Sequence, residues 1–143
     1  MGHISLDQAR TIIAAALAHG RQLGLKPLSV AVLDSGGHLI AFERQDGSST
    51  LRAQIATGKA AGALALGLSS RRIGEMAAER PSFVASLGPI APAGLIPAAG
   101  GVIVVDEAGR AIGAVGVTGD TSDNDELCAL AGIAAAKLKA QDA

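Results

Sequence analysis

The stretch VAVLDSGGHLIA, residues 30–41, is written a second time as VIVVDEAGRAIG, residues 102–113. Val30, Val32, Asp34, Gly37 and Ile40 recur as Val102, Val104, Asp106, Gly109 and Ile112 at a constant offset. The register continues, with Gly47 matching Gly119, and Ser49 and Thr50 matching Thr121 and Ser122. Each copy reads as strand, turn, strand, Gly-rich junction and helix start, because turn chemistry separates two apolar runs. The core is therefore four strands in two hairpins, and the strand-to-helix junctions, above all VTGDTSDNDE, are where side chains gather.

A chain of 143 residues fits one domain, 1–143, with enough length to bury a core. It is 49% hydrophobic and 17% charged, which excludes a disordered chain. The apolar content is mostly small: 19 Gly, two Phe (Phe42 and Phe83), and neither Trp nor Tyr. Cores of Ala and Gly bury little area per residue, so burying faces against further copies is favourable, and a homo-oligomer is expected. A net charge of −1, without a basic run or stacking aromatics, argues against nucleic acid as a partner. Cys128 alone forms no internal disulfide, which suits a reducing cytoplasm. Asp7 and Arg10 interrupt any leader-like apolar run, and Lys59 and the glycines break the Ala-rich stretch 53–68, so no membrane partner is expected.

Outward from the hairpins, Ser5 and Gln8 form a capping box opening a helix to about Leu23, with Gly24 as its stop. Its apolar stripe is Leu6, Ala9, Ile12, Ile13, Ala16, Leu17 and Leu23. The first strand, Leu28–Leu33, is apolar on both faces apart from Ser29, as a covered central strand should be. A helix follows Thr50 and ends at Gly67, and a shorter one runs from Ser69 or Ser70 to before Pro81. Residues 81–101, rich in Pro and Gly, read as irregular chain of lid or interface type. The second hairpin covers Val102–Thr118, and the last helix runs from about Asp123 to Lys139.

The best candidate site is Thr118 to Glu126. Ala114, Gly116 and Thr118 share a strand face that is nearly bare, leaving room for a helix or a ligand. The next helix start offers backbone N–H groups to a carboxylate or phosphate, with Gly119, Thr121 and Ser122 around it. Asp120 or Glu126 would move a proton. The structural alternative is Ser122 as N-cap, with Asp123, Asp125 and Glu126 complementing the helix dipole. The four acids lack calcium-loop spacing, and no Cys/His set has zinc spacing, so no metal is assigned. Lys59, alone in an apolar run, is either a base or anion clamp with a lowered pKa, or a cation that snorkels to solvent. Arg44 and Asp46 close the first hairpin at the positions matching Gly116 and Thr118, as ligand-side groups or as a structural ion pair with each other. The repeat leaves open whether the two junctions meet or lie at opposite ends. Cys128 reads as a small buried residue.

VAVLDSGGHLIAFERQDG, Lys59-Ala60, Gly100-Gly101-Val102, IGAVGVTGD and Asp125-Glu126, in that order, together resemble the GlcG/HbpS family. The likeness spans nearly the whole chain. It implies an α+β, profilin-like fold: an antiparallel sheet of two β-hairpins with flanking helices, assembled into oligomers. It also implies a small-ligand-binding protein with heme as the expected cofactor. Family members also include proteins encoded with catabolic pathways and some small-molecule enzymes, so the alternative is a hydrolase, hydratase or tautomerase acting on a carboxylate-bearing substrate. Gly100 and Gly101 join the ligand-binding candidates with this likeness. Heme iron would take His38, His3 or Met76 as its ligand, His19 lying near a helix end where a cation is simply favourable. Two departures from the family pattern stand out: Gln45 replaces a frequent methionine, and Asp120 replaces a usual glycine. A carboxylate at Asp120 discourages a heme propionate from that junction.

Overall fold

The computed structural model describes residues 2–142. In chain order the elements are α1 (Leu6–Leu23), β1 (Ser29–Asp34), β2 (Leu39–Arg44), α2 (Arg52–Leu66), α3 (Ser70–Glu79) and α4 (Pro81–Leu87). A 3-10 turn (Gly88–Ile90), β3 (Gly101–Val105), β4 (Ala111–Thr118), α5 (Ser122–Ala135) and a two-residue β5 (Lys139–Ala140) complete the chain. The strands form one antiparallel sheet in the order β2-β1-β4-β3-β5, an α+β architecture. The two repeated hairpins thus lie side by side, joined through β1 and β4.

Their turns are built alike. Asp34 Oδ1 accepts from Gly36 N and His38 N, each at 2.9 Å, and Asp106 Oδ1 accepts from Ala108 N and Arg110 N at the same distance. Gly37 and Gly109 both have φ of 83°, the left-handed backbone that turns of this kind need. An aspartate at the turn's first position therefore sets both hairpins by the same side-chain bonds.

Helices α1 and α5 cover one face of the sheet. Ile12, Ile13, Cys128, Ala129 and Ile133 pack there on Val30, Val32, Val104, Val115 and Val117. The α1 start is the expected capping box, with Gln8 N donating to Ser5 Oγ at 3.1 Å and Ser5 N to Gln8 Oε1 at 2.9 Å. Its buried stripe is narrower than the sequence pattern, since Leu6 and Leu23 at the two ends remain exposed.

Helix α2 covers the other face and lies unusually near the strands. A Cβ at Gly116 would strike the carbonyl oxygen of Ala56, and one at Gly101 the carbonyl oxygen of Lys59. Gly116 and Gly101 are register partners, so they form one groove across β4 and β3 into which the α2 backbone fits. The outer side of α2 is equally poor in side chains: Gly58 meets Ile96, and Gly62 meets Leu95.

The segment 81–101 is more regular than its composition predicts. Pro81 is the first residue of α4, where its missing N–H costs nothing, and Val84 anchors that helix in the interior. Residues 94–97 then strap over the glycines of α2 and α3. The last helix ends earlier than expected, at Ala135. Lys137 takes φ of 59°, Leu138 N donates to Ile133 O, and the chain turns to add β5 beside β3.

Replacing Gly116 by Ala should lower stability by about 2–3 kcal/mol, because the added methyl meets backbone rather than a yielding side chain. Gly88→Ala, at an exposed helical position facing open space, should stay within about 0.5 kcal/mol of the parent. Urea midpoints at unchanged m-value measure both. Equal losses in the two variants would refute the close α2 approach.

Candidate functional site

The register answers where the two junctions go. Ser29 pairs with Arg44 on one side and Thr118 on the other, so both strand-to-helix junctions lie at the same end of the sheet. Both turns, with His38 and Arg110, lie at the opposite end, roughly 16 Å away over five residues of strand. The expected site residues are thus split. Arg44, Thr118, Gly119, Asp120, Thr121 and Ser122 belong to the junction end, and His38 to the turn end.

Thr118 does not border a hollow. It is 1% exposed, and its hydroxyl accepts from Arg52 Nη1 at 2.7 Å. The bare Ala–Gly–Thr face is real, but α2 fills it. Gly100 and Gly101 likewise face the protein's own interior: a Cβ at Gly100 would crowd Val117 O and Lys59 Nζ. Close packing of Lys59 thus explains both glycines, in place of the ligand contact expected of them.

Lys59 does not snorkel. It is 3% exposed, and Nζ donates to Val117 O at 3.0 Å and to Asp125 Oδ2 at 3.2 Å. Asp125, 1% exposed, uses its other oxygen to accept from Asp120 N at 2.9 Å. Burial pushes the lysine pKa down and the aspartate pKa up, and each charge offsets part of the other's desolvation. Arg52 adds a further downward push on Lys59.

The acid-rich start of α5 is occupied by the protein itself. Thr121, one residue before the expected Ser122, is the N-cap, its hydroxyl accepting from Asn124 N at 3.2 Å. Gly119 has φ of 143°, and a side chain there would collide with the carbonyl of Pro27. Asp120 accepts from Asn124 Nδ2 at 2.9 Å and from Lys26 N at 3.1 Å. The Asn124 amide first, then the N–H groups of Thr121 and Lys26, hold its pKa down to about 2. So strong a preference for the anion makes Asp120 a poor proton carrier at neutral pH, contrary to its expected role. Glu126 is no freer, since Arg71 Nε donates to both its oxygens at 3.1 Å while Nη2 reaches Asp123. The four acids are thus divided among Lys59, the Asn124–Lys26 side and Arg71, and among the described residues no metal-ligating cluster forms.

At the turn end, the His38 side chain is 82% exposed. Its Nδ1 lies 3.3 Å from Asp34 Oδ1, and the ring rests against Gly36. Gly36 and Gly37 wall a cavity of about 270 Å³ whose other side is Ala61, Leu64, Pro92 and Ala93. The corresponding second turn borders an open hollow of about 710 Å³ lined by Asp106, Glu107 and Arg110. Met76 is half-buried on α3, and His3 is exposed near the chain start. Cys128 is buried as expected, its thiol pushed up to about 11 by desolvation.

Sequence reading missed Arg52, Arg71 and the pairing of Lys59 with Asp125. Only the last had a signal, a lone lysine and a carboxylate flanking the same glycine strand. Gln45, the departure from the family pattern, is a clamp: its Oε1 accepts from Leu28 N at 2.6 Å and its backbone N–H donates to Leu28 O at 2.9 Å.

A two-hairpin sheet with helices on both faces and a glycine-lined junction defines a class of small α+β proteins. Residues 4–134 match the family described as Haem degrading protein HbpS-like, and the chain belongs to that family. Among solved structures it is similar to HbpS, at 28% identity and a TM-score of 0.79, covering 94% of this chain and 90% of that one. It is also similar to Klebsiella pneumoniae protein ORFY, at 25% identity and a TM-score of 0.85, covering 96% and 92%. The PduOC:heme complex shares the fold at 20% identity and a TM-score of 0.86, covering 98% and 99%. No curated protein sequence matches the chain. No helix among the described residues is long and apolar enough to cross a membrane.

Removing one member of the buried pair leaves the other unpaired, so Lys59→Met and Asp125→Ala should each cost about 3–5 kcal/mol. The double variant should lose less than the sum, as denaturant unfolding of the cycle would show. Additive losses would mean that the two groups do not interact.

Asp120 has a native pKa below its ordinary 3.8, so its contribution is fully present above that value and lost as pH falls toward about 2. Asp120→Asn should therefore lose stability relative to the parent above pH 4, with the gap closing toward pH 2. Melting curves across that range measure it, and a gap independent of pH would contradict the bonding described.

Proposed function

We propose that this protein binds heme as its small ligand, with His38 as the residue that meets the iron at the mouth of the turn-end cavity. The observation that carries this reading is the setting of His38. Its ring is open to solvent, and a carboxylate stands at Nδ1, the arrangement by which proteins orient a ligating imidazole. In the tautomer with its proton on Nδ1, on the Asp34 side, Nε2 would keep its lone pair for a metal. The adjoining walls, Ala61, Leu64, Pro92 and Ala93, are apolar and suit a macrocycle face. At 270 Å³ the cavity is near the lower end of ligand pockets, about 300 Å³, so a macrocycle projects beyond it. Heme, when bound, supplies an iron centre for redox or oxygen chemistry. The chain's own residues would hold it: His38 as the nitrogen base, Asp34 orienting that ring, and Ala61, Leu64, Pro92 and Ala93 as an apolar wall.

The family membership and the similarity to HbpS support this reading, as does the shared fold of the PduOC:heme complex. Asp120, whose charge is unfavourable for a propionate, lies at the other end of the sheet. A homo-oligomer remains part of the proposal, because Leu51 and Ile90 are large apolar side chains left exposed, Ile90 two residues from the cavity wall at Pro92. The competing enzyme reading loses its proton carriers at the junction, where Lys59, Asp120 and Glu126 are all engaged.

Titrating the purified protein with hemin should give a saturable Soret shift. His38→Ala should weaken binding by at least about tenfold and change the band position, and Asp34→Asn should weaken it less. An unaltered affinity and spectrum in His38→Ala would overturn the assignment.

A further inference from the structure

A cavity of about 270 Å³ takes only part of a macrocycle, and its wall is divided between two bodies. Gly36, Gly37, Ala61 and Leu64 belong to the first turn and to α2. Pro92, Ala93 and Gly94 belong to the segment that straps over α2.

That segment, Pro92 to Pro97, runs between two fixed ends. Before it, Ala91 N donates to Leu87 O at 3.1 Å and to Gly88 O at 3.2 Å. After it, Gly100 O accepts from Val117 N at 2.9 Å and so is tied to the sheet. Among the described residues, no backbone group of 92–97 bonds to any other element of the fold. The bonds it makes are local, from Gly94 N to Ala91 O at 3.4 Å and from Ala98 N to Ile96 O at 2.9 Å. A segment without such ties belongs to the low end of local stability.

Packing on glycine is what seats it. A Cβ at Gly58 would stand 2.9 Å from Ile96 Cγ1, and one at Gly62 3.0 Å from Leu95 Cα. Leu95 and Ile96 are half-buried, and the sequence PAGLIP offers no polar side chain to fasten the strap further. Hollows also flank it. Ala93 is shared with one of about 280 Å³ beside Ala53, Gln54 and Thr57 of α2. Leu95 and Pro97 line another of about 300 Å³ against α3 and α4. The strap can therefore move without breaking into packed structure.

We infer that residues 92–97 are a lid on the turn-end cavity, lifting from Gly58 and Gly62 to admit a flat apolar ligand and reseating over it. The inference rests on the heme reading for the ligand and adds the way in. With the strap raised, α2 uncovers Gly58, Ala61, Gly62 and Ala65, a surface with too few side-chain atoms to obstruct a planar ring. With it seated, Pro92 and Ala93 complete the apolar wall and keep water from the ring.

A bridge across the seat tests the lid in the full chain. Ile96 Cγ1 marks the place of a cysteine sulfur, so Gly58→Cys combined with Ile96→Cys can close a disulfide between α2 and the strap. In stopped-flow mixing, the oxidised double variant should take up hemin at least about tenfold more slowly than the parent, and reduction should restore the rate. Ile96→Cys alone, a thiol without a bridge, should be no slower than the parent. Elastase, which cuts after small residues, gives a readout without ligand: it should nick the parent within 91–98 and spare the oxidised double variant. Equal uptake by bridged and parent proteins, equal slowing by Ile96→Cys alone, or a strap cut alike in both proteins or in neither overturns the lid. Failure of hemin to bind any form would end the heme reading alone, and the elastase pattern would still decide whether the strap lifts.

Discussion

Helix α2 lies with its backbone against the sheet, and much of the molecule's remaining organisation follows from that contact. An ordinary helix–sheet interface keeps its layers apart by the side chains between them. Here Gly116 and Gly101 supply none, and the carbonyl oxygens of Ala56 and Lys59 occupy the space where Cβ atoms would be. The close approach gains dispersion over many atoms at small separation, which suits a chain whose apolar residues are mostly Ala and Gly. It also removes the route by which Lys59 would reach water. Its ammonium must be neutralised inside, and it is met by Val117 O and by Asp125. Because α2 and α5 lie on opposite faces of the sheet, this ion pair passes around the end of β4 and ties the two layers together. Buried ion pairs are often matched in stability by apolar residues of similar volume, so the structural consequence of this one is the link it makes between α5 and α2.

That link accounts for how a dense run of acids is distributed among partners. Asp125 turns inward to Lys59 and also caps Asp120 N, Asp120 turns back to Asn124 and Lys26, and Asp123 and Glu126 turn outward to Arg71 on α3. Together the four carboxylates fasten the α5 start to three neighbours, α2, the loop before β1 and, through two of them, α3. A proton moving on or off any of them would weaken a structural contact, which is the wrong property for a catalytic acid or base. The positive groups left without such partners, Arg44 and Arg52, are at the same end but on the α2 face.

What could be read from the sequence was what depends on near neighbours. The hairpin repeat, the Ser5–Gln8 cap, the Gly24 and Gly67 stops and the interior place of Cys128 all follow from residues within a few positions of one another, and all appear in the structure. The bare face of β4 was also legible, but whether a helix or a ligand filled it was not. That outcome depends on Gly101, on a different strand, lining up with Gly116. The burial of Lys59 was hidden for the same reason. In 81–101 the glycines and prolines masked α4, since Pro81 ends one helix and begins the next, and the short helix is held by Val84 in the interior rather than by propensity. At the α5 start two adjacent hydroxyls competed for the cap, and backbone geometry chose Thr121 over Ser122.

An internal repeat also indicates where to look for function, because shared residues account for shared backbone and only the differences can give the two halves different tasks. The turns share their aspartate, their glycine at φ of 83° and the side-chain bonds between them. They differ at the fifth residue, His38 in one and Arg110 in the other, each beside the turn carboxylate. Both can be cations there, but only the imidazole can present a lone pair. Their surroundings diverge in the same sense. His38 rests against Gly36, which lines a cavity with Ala61, Leu64 and Pro92, whereas Arg110 itself lines an open hollow with Asp106 and Glu107. The first turn thus places an imidazole beside an apolar wall, and the second places a fixed charge in a hollow of mixed character, with Asp106 and Glu107 beside Ala108, Ala111 and Ile112. At the other end of the same strands the difference is between Arg44, which is left unpaired, and Gly116, its counterpart in the repeat, on which α2 rests.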